Sequence, residues 1–216
     1  MNKKTIYIIV AVLVVVIVVA SAGVLLMQPN NGGNTPSEGP DVNFQVGAWV
    51  NYTSTSYDND GNVAGVMPMQ WSVEEGAYNG SNCWILNQTM WITADGSMTE
   101  TLIVWYVDKT SFNNLHMTMM TYVDGVLMST DEYNPDSPGF ISKPAMLNEQ
   151  TGVGQETITV PAGTFNCNKS TTTDATTGTV TNIWYNSDIP VFSLVKEETL
   201  NGTQVTSLTE LTAYGN

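Results

Sequence analysis

Beyond Phe44 the apolar residues recur at every second position. Phe44, Val46, Ala48, Val50 and Tyr52 form one such set, and Met67, Met69, Trp71 and Val73 another. Trp84, Leu86, Met90 and Ile92 follow, then Leu115, Met117, Met119 and Val123. A period of two places each set on one face of a β-strand. Between the sets sit Asp60-Gly61, Asn79-Gly80, Asp95-Gly96, Asp124-Gly125, Thr177-Gly178 and Asn201-Gly202. Residues that tolerate positive φ favour two-residue hairpin turns, and short hairpins join antiparallel neighbours. The pattern therefore predicts an all-β fold: a curved antiparallel meander of about ten strands, half-barrel or barrel-like. Leu102–Val107 is apolar on both faces, which predicts a strand covered on both sides. Asn134–Gly154 breaks the rhythm with Pro135, Pro138 and Pro144, and reads as a long connection with one helical turn near Ala145–Gln150.

The start of the chain is different. Ile6–Met27 is 22 residues without a charge, long enough as a helix for a ~30 Å hydrocarbon core. Lys3 and Lys4 precede it and no charge follows until Glu38, so the positive-inside rule places the N-terminus in the cytoplasm and the remainder outside. Ala20-Ser21-Ala22 has the small residues of a cleavage site, but the apolar run continues past it, which favours a retained anchor. Residues 28–42 are rich in Pro, Gly and Asn and read as a flexible spacer. The expected organisation is a signal-anchor helix (1–27), a linker (28–42) and an exported β domain (43–216). The membrane, through residues 6–27, is then the first partner, and the expected location is the cytoplasmic membrane at a prokaryotic cell surface.

Charge narrows the function. The exported part has four lysines (Lys109, Lys143, Lys169, Lys196), no arginine and all 20 acidic residues, a formal charge of −16. Four scattered lysines cannot assemble a track for phosphate backbones, so nucleic acid is not an expected partner. The acidity reads as solubility and self-repulsion at a surface.

Catalytic patterns are missing from the sequence. His116 is the only histidine, and there is no Gly-x-Ser-x-Gly, His-Glu-x-x-His, phosphate loop or dinucleotide fingerprint. Glu74-Glu75 and Glu197-Glu198 are adjacent, so on strands each pair splits between opposite faces. Asp58-Asn59-Asp60-Gly61-Asn62 places its glycine fourth, not sixth, and reads as a turn, not a calcium loop. No catalytic residue, metal ligand or cofactor is expected, and the protein reads as a non-enzyme. A Cu(I) site of His116 with Met117 and Met119 is a remote alternative, weakened because alternation sets the histidine opposite the thioethers.

Methionine is abundant, with nine in the exported part. Met67, Met69, Trp71, Leu115, Met117 and Met119 are the candidate apolar ligand face, where flexible thioethers also suit plain core packing. Cys83 and Cys167 are the only cysteines, and an even count in an exported domain predicts a disulfide. Asn51, Asn79, Asn87, Asn168 and Asn201 head Asn-x-Ser/Thr sequons, with Asn51 and Asn87 expected on the polar side of their strands.

Glu156-Thr-Ile-Thr-Val-Pro-Ala-Gly-Thr-Phe-Asn-Cys167 reads as strand, turn and returning strand, with Pro161 fixing φ at the turn and Gly163 supplying a left-handed position. This hairpin resembles one in uncharacterised exported proteins whose half-barrel is similar to the LolA/LolB lipoprotein carriers. Ile183-Trp184-Tyr185, Ile189-Pro190-Val191 and Leu194-Val195-Lys196-Glu197 continue the likeness over roughly residues 150–215. The resemblance implies a strongly curved sheet whose concave face holds an apolar ligand. The sequence lacks the amphipathic helices with which the carriers plug that face. Two functions follow as expectations: a structural or interaction protein of the cell surface, or a binding module for a lipid or other apolar ligand.

Overall fold

The computed structural model describes residues 42–137, 140–141 and 154–216. The expected membrane segment, nearly all of the linker and the helical turn near 145–150 lie outside these residues. Among the described residues no helix is long and apolar enough to cross a membrane.

The described chain forms one open antiparallel sheet of eleven strands. Six make a first meander: β1 (Trp49–Tyr57), β2 (Val63–Tyr78), β3 (Ser81–Ala94), β4 (Ser97–Asp108), β5 (Asn114–Val123) and β6 (Val126–Tyr133). Five make a second: β7 (Gly154–Val160), β8 (Gly163–Thr173), β9 (Val180–Tyr185), β10 (Leu194–Asn201) and β11 (Gln204–Gly215). The last strand returns to pair with the first, from Trp49 opposite Gly215 to Ser56 opposite Ser207. The spatial order is therefore β6-β5-β4-β3-β2-β1-β11-β10-β9-β8-β7, with β6 and β7 as the two edges.

Turn chemistry sets this order. All six expected dipeptides lie between paired strands. Asn79-Gly80, Asp95-Gly96 and Asp124-Gly125 have positive φ at both residues, 48° to 52° for the first and 78° to 82° for the second. That backbone twist matches the twist of the strands it joins.

Two ends can be distinguished. The near end is where residue 42 leads into Trp49 and where β11 finishes. It also carries the Asn79-Gly80 turn, the 109–113 connection and the 186–193 connection. The far end carries the β1–β2, β3–β4, β5–β6, β8–β9 and β10–β11 turns.

The alternation holds within β2, β3 and β4 and fails at the start of β1. Phe44 was expected to open the first strand, but Val46 and Gly47 form a turn, with Gly47 at φ 87° and Val46 solvent-exposed. Phe44 instead packs on the core from outside the sheet. On β4, Thr101, Ile103, Trp105 and Val107 are buried, whereas Leu102, Val104 and Tyr106 are half-buried. The expected second cover over that strand is thus only partial among the described residues.

The core lies on the face bearing Val50, Tyr52, Trp71, Val73, Leu86, Ile103, Trp105, Val107 and Leu211. This inner face is closed at the near end by the chain itself. Ile189, Val191 and Phe192 of the β9–β10 connection are buried there, and Val191 donates its N–H to the Asn43 carbonyl at 3.1 Å. Phe192 stands edge-on to Trp71 at 4.8 Å, and Phe44 touches Trp84, Phe112 and Phe192 at 5.7–6.1 Å. The β7–β8 turn reaches back to β11, where Ala162 donates its N–H to the Leu211 carbonyl at 3.2 Å.

Candidate functional site

Cross-strand register places five of the six expected apolar-face residues together. Tyr52 faces Met69, Ser54 faces Met67 and Val50 faces Trp71. Met69 then faces Met90, and Trp71 faces Gln88. Gln88 faces Ile103 and Leu86 faces Trp105. Ile103 faces Met119, and Trp105 faces Met117. Cross-strand pairs share a face, so Met67, Met69, Trp71, Met117 and Met119 line one surface. Leu115 does not join them. The register slips between Tyr106 opposite His116 and Val107 opposite Asn114, leaving Leu115 as the extra residue of a β-bulge. Asn114 takes the inner position, and its Nδ2 donates to the Ile141 carbonyl at 3.1 Å.

Burial along this face is graded. Val50, Val73 and Val107 at the near end are fully buried. Met67, Met69, Ile92 and Met119 toward the far end are half-buried and pack against the core from its margin. At the far rim large apolar side chains are exposed: Val63, Val66, Met98, Val126, Leu127 and Met128, at 42–62%. The turns beside them carry the exposed acids Asp58, Asp60, Asp95 and Asp124.

The polar groups of the inner face are few. Trp71 and Trp105 stack with centroids 6.4 Å apart, and neither indole N–H has an acceptor among the described residues. Gln88 donates only to the sulfurs of Met69 and Met90, at 3.6 and 3.5 Å. Tyr52 donates its hydroxyl to the Leu194 carbonyl at 3.2 Å, and burial pushes its ionisation far above the usual range. Further round the sheet, Glu197 faces Ile183 on one side and Thr209 on the other. Thr209 donates to Ser54 at 3.2 Å. Burial raises the Glu197 carboxyl above its ordinary pKa, and it has no ion pair among the described residues. Glu198, one residue on, pairs with Lys196 at 3.4 Å.

His116 lies on the opposite face. It stacks on Tyr78 at 4.7 Å. Its Nδ1 meets Asn134 Oδ1 at 3.0 Å and its Nε2 meets Thr118 Oγ1 at 3.3 Å. Both ring nitrogens are engaged and both inner-face thioethers point away, so the remote copper arrangement does not assemble. Asp58 likewise spends its carboxylate on its own turn, accepting from the N–H groups of Asp60 at 2.9 Å and Asn62 at 2.8 Å. Backbone donation by Asn62 leads the causes that hold its pKa low.

The expected disulfide is not formed: Cys83 and Cys167 are free, buried thiols. Cys83 is on β3 and Cys167 on β8, with β2, β1, β11, β10 and β9 between them. A bridge needs Cα atoms within about 7 Å. Cys167 belongs to the main core cluster and Cys83 does not. Of the sequons, Asn79, Asn168 and Asn201 are exposed, whereas Asn51 and Asn87 are half-buried. Asn87 Nδ2, the atom a glycan would occupy, donates to Glu74 at 2.8 Å.

Sequence reasoning missed the lysine–tryptophan contacts. Lys109 lies 4.3 Å from the Trp84 ring centroid and ion-pairs with Glu75. Lys169 and Lys196 lie 4.8 and 4.9 Å from Trp184, whose indole N–H donates to Glu156 at 2.8 Å. That bond leads the causes lowering the Glu156 pKa, with Lys169 next. Three of the four lysines beyond residue 42 are thus spent on aromatic faces. The partners come from different strands, so no local spacing signals them.

No protein-family model matches this chain, and no curated protein is significantly similar to it.

Proposed function

We propose that this chain is a membrane-tethered, extracytoplasmic, non-catalytic interaction module of the cell surface, a half-barrel presenting its far rim to a partner protein. The observation that carries the reading is the placement of exposed apolar side chains. Of the eight exposed large apolar side chains among the described residues, six (Val63, Val66, Met98, Val126, Leu127 and Met128) lie at the far end and two, Val46 and Tyr214, at the near end. Clustered apolar exposure marks interaction surfaces. The acids in the neighbouring turns oppose an anionic lipid surface and favour an apolar patch ringed by lysine or arginine. The open backbone of edge strand β6 adds a place for an extended segment to pair.

The test uses the full chain in membranes of the producing organism. It is expected to run as a complex larger than a monomer, and M98E with L127E is expected to release it with Tm unchanged. A monomeric wild type, or a complex containing only this chain, overturns the proposal.

A second reading has its own support: the half-buried Met67, Met69 and Met119 lead from the open far end toward the Trp71–Trp105 pair. On this reading the inner face holds an apolar ligand.

A further inference from the structure

Buried polar groups in folded proteins almost always find a partner, because an unmade hydrogen bond inside the protein costs most of the group's desolvation. The patch spanning β2, β3 and β4 departs from that rule at two donors. Trp71 and Trp105 are each 3% exposed, and both indole N–H groups lack an acceptor among the described residues. Gln88, 7% exposed, sits directly opposite Trp71 and two residues from Leu86, which faces Trp105. Its amide nitrogen donates only to the two thioethers, which are weak acceptors. Three neighbouring buried side chains therefore offer donors, and of the residues in register with the indoles only Gln88, through its amide oxygen, carries an oxygen acceptor. Val50 and Gln88 flank Trp71, and Leu86 and Met117 flank Trp105.

We propose that the Trp71–Gln88–Trp105 patch is a binding site for the carbonyl oxygen of an uncharged apolar molecule, such as a long-chain ester or ketone. This deepens the second reading above and rests on it, while the interaction proposal is tested separately by complex size. A carbonyl oxygen has two lone pairs and no donor, which matches a patch that has donors to give. An amine or a polyol brings donors of its own, and these would have to share the single Gln88 amide oxygen and the weakly accepting thioethers. An ionised carboxylate would be buried without a cation among the described residues, since the described lysines are held on other aromatic faces, and that is strongly unfavourable. An alkane leaves the indoles as they are. The apolar body of the molecule would lie against Met69, Met90 and Met119, whose unbranched side chains adapt to irregular shapes.

The test is a titration of the full chain in phosphatidylcholine nanodiscs with methyl palmitate, sodium palmitate and hexadecane, read on the indole N–H resonances by NMR. Trp71 and Trp105 are assigned by W71F and W105F. With methyl palmitate both indole protons are expected to move downfield together. Palmitate and hexadecane are expected to act at least tenfold more weakly or not at all. Each single variant is expected to weaken methyl palmitate binding about tenfold, one lost hydrogen bond's worth. If neither variant folds, their resonances in the wild type still decide the matter by assignment through bonds. Indole protons unmoved by every probe overturn the proposal. So do persistent contacts from both indoles to water in the presence of ester, which would mean a buried water only, and so does equal response to hexadecane.

Discussion

The near and far ends of the sheet carry the same kinds of residue and treat them in opposite ways. At the near end Phe44, Phe112, Phe192, Ile189 and Val191 fold over the inner face, and the valines beneath are sealed. At the far end five turns leave the face uncovered by described residues, and valine, leucine and methionine side chains remain in solvent. The near-end closure is held against local preference. Val191 and Ser193 have φ of 70° and 59°, and a left-handed backbone is unfavourable for a β-branched residue. A chain that holds strained residues to close one end while leaving the other apolar separates stability from recognition along a single axis.

The sharpest way to break this comparison is to open the closed end. Phe192 contacts both Trp71 and Phe44, so it links the second meander to the first. Phe192→Ala is expected to cost about 3–5 kcal/mol in urea unfolding, as for large-to-small changes in other cores. L127E at the far rim is expected to stay within about 0.5 kcal/mol of wild type, like other surface substitutions. Equal losses at the two ends would erase the distinction.

A smaller effect is expected where the inner face turns polar. The Glu197 carboxyl has a raised folded-state pKa because burial disfavours its charge. A carboxyl raised on folding contributes stability that is complete below its unfolded pKa of about 4.3 and is lost as pH rises through the folded value. Glu197→Gln is therefore expected to raise Tm at pH 7 and to leave it unchanged near pH 3. The measurement is Tm against pH for both proteins. A variant less stable at pH 7 would mean that the carboxylate has a partner.

Much of this architecture was legible in the residues, and the failures share a cause. The Asn-Gly and Asp-Gly pairs marked the hairpins because few other dipeptides accept positive φ at both positions. The inner faces of β2 and β3 followed from strict alternation. Leu115 was misassigned because a bulge adds one residue and reverses every side chain on one side of it. The same happens beside Met128 and Thr212, where the register also slips. Ile189–Phe192 serves as the near-end closure, with a left-handed backbone at Val191 that a β-branched residue ordinarily refuses and no local pattern signals. The donor patch had no signature at all. Trp71, Gln88 and Trp105 are 17 residues apart at each step, and only the register of three strands makes them neighbours.

The smallest expected effect concerns the two cysteines, each buried in a different part of the sheet. Burial pushes the Cys167 thiol up to about 11 and, as the leading cause, raises Cys83 as well. Nucleophilic attack needs thiolate, so both are expected to react slowly with iodoacetamide in the folded chain and promptly in urea. Reductant is expected to leave Tm unchanged, because there is no cross-link to lose. A bridge between residues 83 and 167 would close a loop worth roughly 4–5 kcal/mol on the chain-entropy argument, and its reduction would lower Tm by many degrees. A Tm that falls with dithiothreitol would therefore require Cys83 and Cys167 to meet despite the five strands that separate β3 from β8.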